Sequence, residues 1–383
     1  MVSKIKEVIK IKKKIGILTS NFFDPAGQRL IYGGAERYGI ELTKLLLDLG
    51  YEVEWWQVGS GWIRDLMNNV KIKSIPVTES PYETMPTLNQ AFLERAVDID
   101  YAIYFVTFLA YPQVKEKSIS ISHGIYWDYP SFDNLIDGDN GRQEWLRRLK
   151  IALSGPDRVI SVDTSTIEWV RATWPGLSHK FEYIPNFVDL AKFNPEGRKP
   201  ILEQKPIRVI FPRRITTVRG INEVVRTAEI MTKEVKNLEF HIVGRGHHDQ
   251  VEKELMKWAS EHERIYYYWQ PPEMMPEIYR EMDIALIPTK AAEGTSLSCL
   301  EAMASGCVVI SSYVGGLSDL VFNDYNGLLI KPTTQNLVQA IYSLLEDTDR
   351  AKRLSKNGVE VARAFSLDCW RESWKTVLQE VFN

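Results

Sequence analysis

The stretch Ile284–Ser311 reads IALIPTKAAEGTSLSCLEAMASGCVVIS. Its two ends, Ile284–Ile287 and Val308–Ser311, are short apolar runs bounded by polar or small residues, a pattern typical of buried strands. Between them, Ser296–Ser305 is rich in residues that favour helices. A strand, a helix and a second strand in this order predict two parallel strands joined by a crossover helix.

The same alternation of strand-like and helix-like segments extends along both halves of the chain. It predicts a parallel sheet covered on both faces in each half, and therefore two doubly wound α/β domains. The other predicted strands are Lys14–Ser20, Tyr51–Val58, Val70–Val77, Ala102–Val106, Ser118–Ser122, Arg158–Val162, Ile207–Phe211, Glu239–Val243, Ile265–Tyr268 and Gly327–Ile330. The other predicted helices include 33–50, Asn89–Val97, Gln143–Leu153, Ser165–Thr173, Ile221–Lys233 and Val251–Ala259.

The alternation pauses at residues 183–205, YIPNFVDLAKFNPEGRKPILEQK, where three prolines and many polar residues interrupt it. We therefore predict a first domain at residues 1–190 and a second at residues 191–365. The two domains are expected to face each other across a cleft, because open α/β sheets bind ligands at the carboxyl ends of their strands.

The composition argues against several classes of function. With 383 residues, of which 44% are hydrophobic and 25% charged, the chain is long enough for two globular domains. The formal net charge of −3 argues against nucleic acid as a partner. The three cysteines, Cys299, Cys307 and Cys369, lack the spacing of a disulfide framework or a zinc site, which favours a reducing cytoplasm.

The amino-terminal segment MVSKIKEVIKIKKK carries six lysines and lacks the apolar region and cleavage site of a signal peptide. No apolar run in the sequence reaches the ~18–20 residues that span a bilayer. One interpretation of the lysines is a solvated lead-in to the first strand. The other is peripheral contact with an anionic membrane surface.

Two glutamates flank the start of the helix predicted at Ser296–Ser305. Glu293 precedes the helix, and Glu301 is expected about two turns inside it. Backbone N–H groups and the helix dipole predict a diphosphate site here, beside carboxylates that accept hydrogen bonds from sugar or ribose hydroxyls. The alternative is ordinary helix capping. The candidate donor-binding residues at the helix start are Thr295, Ser296, Leu297 and Ser298.

The loop FPRRITTVRG, residues 211–220, follows another predicted strand and contains Arg213, Arg214 and Arg219. Guanidinium groups at the end of a strand would hold a diphosphate and stabilise its charge as it leaves. The alternative is an exposed arginine-rich loop.

Two weaker features also follow predicted strands. The pair Gly33–Gly34 would let the backbone approach a ligand closely, although tight turns also use two glycines. His123 ends the strand Ser118–Ser122 and is predicted to point into the cleft, although a lone histidine is often only a hydrogen-bonded polar residue.

Several signatures of other sites are missing. The sequence has no Walker A motif and no G-x-G-x-x-G after the first strand. Three D-x-D triplets could hold a metal with a diphosphate, but none stands at a strand end with partners, and we expect no metal site. The triplets are Asp98/Asp100, Asp137/Asp139 and Asp347/Asp349.

With these residues in view, the chain resembles the family 4 retaining glycosyltransferases of the GT-B fold over nearly its whole length. Each motif alone is unspecific, but their order and spacing together are specific. The motifs are GGAE at Gly33–Glu36, His123–Gly124, IPNFVDLAKF at Ile184–Phe193, RITTVRG at Arg214–Gly220, VGRG at Val243–Gly246, Glu293 and Glu301 followed by AMASG, and GGLSD to NGLL at Gly315–Leu329.

The resemblance implies two Rossmann-like domains, the first binding the acceptor and the second the nucleotide-sugar donor, with a last helix at 366–383 crossing back. It implies transfer of a sugar, with retention of configuration, from a UDP- or GDP-sugar to a hydroxyl group. A UDP-sugar is favoured, and no metal or other cofactor is required. The acceptor would be a saccharide or lipid-linked saccharide in glycan or polysaccharide synthesis, and the enzyme cytoplasmic or peripheral to a membrane.

The resemblance also implies roles for single residues. Arg214 and Arg219 would grip the diphosphate, helped by backbone N–H groups near Gly34 and Leu297–Ser298. Glu293 would bind the transferred sugar and Glu301 the ribose. His123 would touch the sugar from the opposite domain, and Gly33 and Gly244 complete the predicted donor site.

Departures from the family pattern concern Arg219, where the family often has lysine, the EGTS sequence after Glu293, and Asp319, which replaces a common glutamate and shortens a sugar or ribose contact. We expect Glu293 and Arg214 to line solvent. Two other functions stay open: a sugar-nucleotide epimerase on the same fold, and a non-catalytic scaffold that binds nucleotide sugars.

Overall fold

The computed structural model describes residues 12–31, 33–77, 81–128, 138–203, 205–246 and 249–382. These residues form two compact units. The first contains the described residues within Met1–Ser122, Asp133–Ile160 and Leu378–Asn383, and the second those within His123–Phe132 and Ser161–Val377. The division predicted at residue 190 from the proline-rich linker stays a prediction. Within the described ranges, no helix is both long and apolar enough to cross a membrane.

The first part of the chain, up to residue 183, alternates strands and helices. Its strands are β1 (Lys14–Leu18), β2 (Glu52–Val58), β3 (Ile63–Met67), β4 (Val70–Ile75), β5 (Tyr101–Tyr104), β6 (Ser118–Ser122), β7 (Arg158–Ser161) and β8 (Phe181–Tyr183). Its helices are α1 (Gly34–Asp48), α2 (Pro81–Arg95), α3 (Gly138–Ser154) and α4 (Thr164–Thr173).

The alternation resumes after the linker. The strands are β9 (Ile207–Phe211), β10 (Leu238–Val243), β11 (Ile265–Tyr268), β12 (Ile284–Ile287), β13 (Val308–Ser312) and β14 (Leu328–Ile330). The helices are α5 (Ile221–Glu234), α6 (Asp249–Ser260), α7 (Met275–Arg280), α8 (Leu297–Ala304), α9 (Thr334–Glu346), α10 (Thr348–Arg363) and α11 (Leu367–Phe382).

The first sheet has the strand order β3-β4-β2-β1-β5-β6-β7-β8. β1 pairs in parallel with β2 and β5, as predicted for an α/β domain. The edge strand β3 pairs antiparallel with β4, which the sequence did not predict. β3 lacks an alternating pattern because its side chains are exposed or half-buried, and an edge strand of this kind carries little hydrophobic signal.

The second sheet has the order β11-β10-β9-β12-β13-β14, and all its pairs are parallel. Counted along the chain this is 3-2-1-4-5-6, the order of the Rossmann fold. The order reverses between β9 and β12. In such a sheet, ligands bind outside the carboxyl ends of the strands at this reversal, so the fold directs attention to the loops after β9 and β12.

Both faces of the second sheet are covered. Along β12, Ile284 and Leu286 belong to one core, which includes Val224 and Ala228 of α5. Ala285 and Ile287 belong to another core, which includes Leu300 and Met303 of α8. Alternate residues of one strand therefore serve opposite cores, and the near-continuous apolar run IALI is the consequence.

Two lysines in the described part of the amino-terminal segment form ion pairs. Lys13 Nζ lies 2.7 Å from Asp100 Oδ1, and Lys14 Nζ lies 2.6 Å from Asp98 Oδ2 and 2.9 Å from Glu54 Oε2. Lys4, Lys6 and Lys10 lie outside the described residues. The first D-x-D triplet is therefore paired with lysines of this segment.

Two glycines with positive φ allow a matched test of the packing that places the loop after β12. Gly220 has φ +87°, and a Cβ there would overlap the carbonyl oxygen of Pro288, while Gly197 has φ +76° and open space around its Cβ position. We expect Gly197→Ala to lower the free energy of unfolding by about 1–2 kcal/mol, the strain of the left-handed conformation. Gly220→Ala should lower it clearly more, because the clash adds to the strain. Urea unfolding of both variants measures this, and equal losses would contradict the packing.

Candidate functional site

The site lies at the carboxyl ends of β9 and β12, where the strand order reverses. The chain after β9 carries Arg213 and Arg219, and the chain after β12 carries Thr289 and Glu293. Because β9 and β12 are neighbours, loops that are distant in sequence lie side by side. The sheet topology thus brings two arginines to one carboxylate.

Glu293 Oε2 is the centre of this cluster. Arg213 Nη2 donates to it at 2.6 Å, Arg219 Nη1 at 2.5 Å and Thr289 Oγ1 at 2.9 Å. The Glu293 side chain is 8% exposed, the Arg213 side chain 7% and the Arg219 side chain 26%. The prediction that Glu293 lines solvent is wrong for this structure, because two guanidinium groups cover it.

The protonation state of Glu293 follows from two opposing effects. Burial by itself raises the pKa of the carboxyl, because the ionised form loses its hydration. The positive charges of Arg213 and Arg219, with the hydrogen bonds from Arg213 and Thr289, outweigh burial and hold the pKa below its ordinary value. Glu293 is therefore a buried carboxylate that stays ionised at neutral pH.

Arg213 was in the loop considered from the sequence but not among the predicted site residues. It is Arg213, rather than the neighbouring Arg214, that binds Glu293, while Arg214 is exposed. A Cβ on Gly244 would overlap the carbonyl oxygen of Arg213, so Gly244 allows the loop after β10 to pack directly against this arginine. The family motif RITTVRG singled out Arg214, and no pattern in this loop indicated that Arg213 binds Glu293.

The residue before Glu293 has a strained backbone. Ala292 has φ +55°, the left-handed region that non-glycine residues rarely adopt. Its N–H donates to Asp128 Oδ1 at 2.8 Å, and its carbonyl oxygen accepts from Arg219 Nη1 at 2.9 Å. Such strain persists where surrounding contacts impose it and is typical of functional sites.

Glycines hold the backbone of Glu293 and Gly294 between two other loops. A Cβ on Gly124 would lie 2.8 Å from Gly294 N, and a Cβ on Gly294 would lie 2.9 Å from the carbonyl oxygen of His123. On the other side, the N–H of Gly316 donates to the carbonyl oxygen of Glu293 at 3.1 Å. The structure therefore brings His123 to the Glu293 loop within the second unit.

The start of α8 lies four residues after Glu293. Its N-cap residue Ser296 makes no side-chain capping bond, so the ordinary capping role considered for this serine is not used. The Ser296 and Ser298 hydroxyls lie 3.1 Å apart, and Leu297 begins the helix. Thr295 is fully buried, with its hydroxyl donating to the carbonyl oxygen of Val162 and accepting from the N–H of Asn186.

Glu301 lies one turn into α8, rather than the two turns expected, because the helix starts at Leu297. Its side chain is buried, and Tyr279 Oη donates to its Oε2 at 3.5 Å. Gly33 and Gly34 lie in the first unit, where Gly33 is the N-cap residue of α1. The predicted roles of all these residues stay predictions. In the described part of the chain, no group of three or more His, Cys, Asp or Glu side chains is placed to hold a metal ion.

Comparison with known proteins identifies the family. Residues 32–192 match the model described as Glycosyltransferase Family 4, and residues 194–361 match the model described as Glycosyl transferases group 1. The chain belongs to the family 4 glycosyltransferases. The D-inositol 3-phosphate glycosyltransferase of Nocardia farcinica is 31% identical over 202 residues, which are 49% of this chain and 44% of that relative. The chain thus aligns with less than half the length of this relative.

Solved structures show the same fold. Sucrose-phosphate synthase from Thermosynechococcus elongatus has a TM-score of 0.76 and 21% identity, with 97% of this chain and 99% of that chain covered. HepE from Anabaena, solved with UDP-glucose, has a TM-score of 0.71 and 16% identity, with 96% and 99% covered. The predictions of family 4 and of the GT-B fold, with two parallel-sheet α/β domains, are confirmed.

In this glycosyltransferase, Asp319 forms hydrogen bonds inside the second unit, and its predicted contact with a sugar or ribose stays a prediction. Its Oδ2 accepts from the N–H of Thr164 at 2.8 Å and its Oδ1 from the Thr164 hydroxyl at 2.5 Å. The adjacent Asp163 is fully buried and caps α4 by accepting from the N–H of Thr166 at 2.7 Å. A Cβ on Gly316 would lie 2.9 Å from Asp163 Cβ, so Asp163 packs against the loop that binds Glu293.

Asp163 predicts a pH dependence of stability. Burial raises the pKa of its carboxyl to about 6, above the ordinary value of 3.8, although the bonds from Thr166 oppose the shift. The folded protein therefore binds more protons than the unfolded chain between pH 4 and 6, and this carboxyl makes stability fall as pH rises through that window. Asp163→Asn keeps an oxygen for Thr166 and cannot ionise. We expect the variant to gain roughly 1–3 kcal/mol relative to wild type between pH 4 and pH 7 in urea unfolding. If the stabilities of wild type and Asp163→Asn stayed in parallel from pH 4 to pH 7, this would contradict the raised pKa of Asp163.

Proposed function

We propose that this glycosyltransferase transfers a sugar, with retention of configuration, from a nucleotide-diphosphate sugar to a hydroxyl group of an acceptor. The observation that carries the proposal is the convergence of Arg213 and Arg219 on Glu293 at the reversal of the second sheet. Transfer separates a sugar from a nucleoside diphosphate, so it needs positive charge for the departing phosphate and a polar group for the sugar. The cluster offers both.

The arginines serve the leaving group. As the bond between the sugar and the diphosphate breaks, negative charge grows on the phosphate, and preorganised guanidinium groups lower the energy of that charge. Arg219, which is half-buried, and Arg214, which is exposed, are the proposed phosphate ligands. Backbone N–H groups at the start of α8 add to them, because a helix amino end favours anions. These charges would do the work for which other transferases use a metal.

The carboxylates serve the hydroxyl groups. Glu293 would accept hydrogen bonds from the transferred sugar, and Glu301 from the ribose. His123, whose backbone touches the Glu293 loop, would contact the sugar. In a retaining reaction by front-face attack, the departing phosphate helps to remove the proton of the acceptor hydroxyl, so no separate base is required. Gly33, Gly34 and Gly244 would let the backbone approach the donor.

The nucleotide base of the donor and the identity of the acceptor are proposed on other grounds. The structure of HepE with UDP-glucose, on the same fold, favours a UDP-sugar over a GDP-sugar as donor. A saccharide or lipid-linked saccharide is the proposed acceptor, in glycan or polysaccharide synthesis. We place the reaction in the cytoplasm, since all three cysteines are free thiols. Peripheral membrane contact would depend on the basic amino-terminal segment, which is described only from Lys12 onward.

Glu293→Gln tests the proposed sugar contact. The amide keeps the size of the side chain but removes the charge, so we expect transfer to fall at least about 10²-fold. The measurement is glycoside formation followed by mass spectrometry, with folding checked by urea unfolding. Lys290→Gln is the matched control: Lys290 belongs to the same loop, forms a surface ion pair with Glu223, and should keep wild-type turnover. Wild-type turnover of Glu293→Gln would refute the role of this carboxylate.

The reaction class has its own test. We expect UDP to raise the thermal midpoint of the protein more than GDP does, and the glycoside to have the anomeric configuration of the donor by NMR. Transfer should persist after treatment with EDTA, because arginines neutralise the phosphate. A changed sugar nucleotide without glycoside would indicate an epimerase, and binding without glycoside or donor hydrolysis would indicate a scaffold. An inverted product would exclude the retaining mechanism.

A further inference from the structure

We propose that Arg213 is a positioning residue for sugar transfer, which holds Glu293 Oε2 so that Oε1 is presented to the donor sugar. The inference rests on the proposed function and deepens it, because it names a residue that acts on the sugar through Glu293 and not through the phosphate. Neither the motifs of the sequence nor the similarity to other proteins assigns this role to Arg213.

Arg213, Thr289 and Glu293 form a closed ring of hydrogen bonds. Arg213 Nη2 donates to Glu293 Oε2 at 2.6 Å, and Arg213 Nη1 donates to Thr289 Oγ1 at 3.0 Å. Thr289 Oγ1 in turn donates to Glu293 Oε2 at 2.9 Å. A guanidinium group is planar, so two bonds from its two terminal nitrogens fix its plane and with it the position of the carboxylate oxygen.

The contacts on Glu293 are strongly unequal between its two oxygens. Oε2 accepts hydrogen bonds from Arg213, Arg219 and Thr289. These three donors occupy its lone pairs fully. Across the described ranges, no donor reaches Oε1. A carboxylate anchored by one oxygen in this way has the other oxygen in a defined direction with its lone pairs unused. Such an oxygen is suited to accept a hydrogen bond from a substrate hydroxyl.

Arg213 and Arg219 differ in the exposure of their side chains and in their other hydrogen bonds. The Arg213 side chain is 7% exposed, and its hydrogen bonds end on Glu293 and Thr289. The Arg219 side chain is 26% exposed and also donates to the carbonyl oxygen of Ala292. If Arg219 turns to a diphosphate, Glu293 loses one positive partner. Arg213 would then be the charge that keeps the buried carboxylate ionised.

The other charged and titratable groups around Glu293 do not replace Arg213. His123 and Asp128 come from the loop after β6; the first touches the Glu293 loop through its backbone, and the second is negative. Cys299 of α8 has its pKa raised to about 12 by burial, so its thiol stays neutral at ordinary pH. Removing Arg213 therefore leaves Arg219 as the only positive partner of Glu293 in the described chain, and the pKa of Glu293 should rise.

The experiment compares Arg213→Met and Arg213→Lys with wild type. In Arg213→Met, we expect kcat to fall about 10-fold to 10²-fold while the affinity for UDP, measured by calorimetry, changes less than about threefold. The acidic limb of the pH–rate profile should move to higher pH by about one unit, because Glu293 then protonates earlier. Arg213→Lys should have a higher kcat than Arg213→Met, and its acidic limb should lie closer to that of wild type. Lysine keeps the charge but lacks the planar pair of donors.

Arg208→Met is the matched control. Arg208 lies in β9 and is also ion-paired, with Glu281 at 2.5 Å, but at the opposite end of the strand. Its loss should leave the acidic limb in place. In the background of Glu293→Gln, Arg213→Met should lower the residual kcat little further, because a residue that acts through Glu293 has nothing left to position.

Urea unfolding between pH 4 and pH 8 reports on the ionisation of the Glu293 carboxyl and does not depend on enzymatic activity. The stability difference between wild type and Arg213→Met should shrink as pH falls and Glu293 protonates. An unmoved acidic limb, additive losses in the double variant, or a loss of UDP affinity equal to the loss of kcat would each overturn the proposal. Absence of transfer by the wild type from every nucleotide sugar would instead overturn the proposed function, and the unfolding data would still report on the contact between Arg213 and Glu293.

Discussion

The ion pairs between Glu293 and its two arginines require the loops after β9 and β12 of the second unit to pack closely. Burial on its own raises the pKa of a carboxyl that is 8% exposed, since it disfavours the ionised form. Arg213 and Arg219 supply the positive charge that opposes this shift, but only if those loops pack closely. Each close approach then needs a residue without a side chain: Gly220 against Pro288, Gly244 against Arg213, and Gly124 and Gly316 around the Glu293 loop.

The sheet order explains why these loops meet at all. β9 and β12 are separated by more than seventy residues of chain, yet they are neighbours because the sheet reverses its direction of growth between them. In sheets of this kind, ligands bind outside the carboxyl ends of the strands at this reversal. The strain at Ala292 is a consequence of this geometry, because Asp128 and Arg219 fix its N–H and carbonyl groups.

Strands with a clear apolar pattern could be predicted from sequence. Ile284–Ile287 matches the predicted strand to the residue, because a strand buried on both faces is a continuous apolar run. Ile207–Phe211 and the edge strand Ile265–Tyr268 also match to the residue. β3 and β8 were missed, since both are short and their side chains are at most half-buried. Glu293 and Arg219 were predicted as site residues from the family motifs, and the structure brings them into contact. Which oxygen of Glu293 is anchored, and by which arginine, depends on distances between loops and leaves no pattern in the chain.

The pair Arg213–Arg214 illustrates that limit. Two adjacent arginines after a strand have the same side chain, but one is buried and the other exposed. Gly244, about thirty residues away, leaves room for the carbonyl oxygen of the buried one, Arg213. The buried arginine is then committed to a carboxylate, while its neighbour Arg214 is exposed. Two identical side chains thus acquire different electrostatic tasks from packing alone. Burial strengthens a charge pair and also makes it costly to break, which fits the positioning role that we propose for the inward arginine; the phosphate role that we propose for Arg214 needs the exposed position.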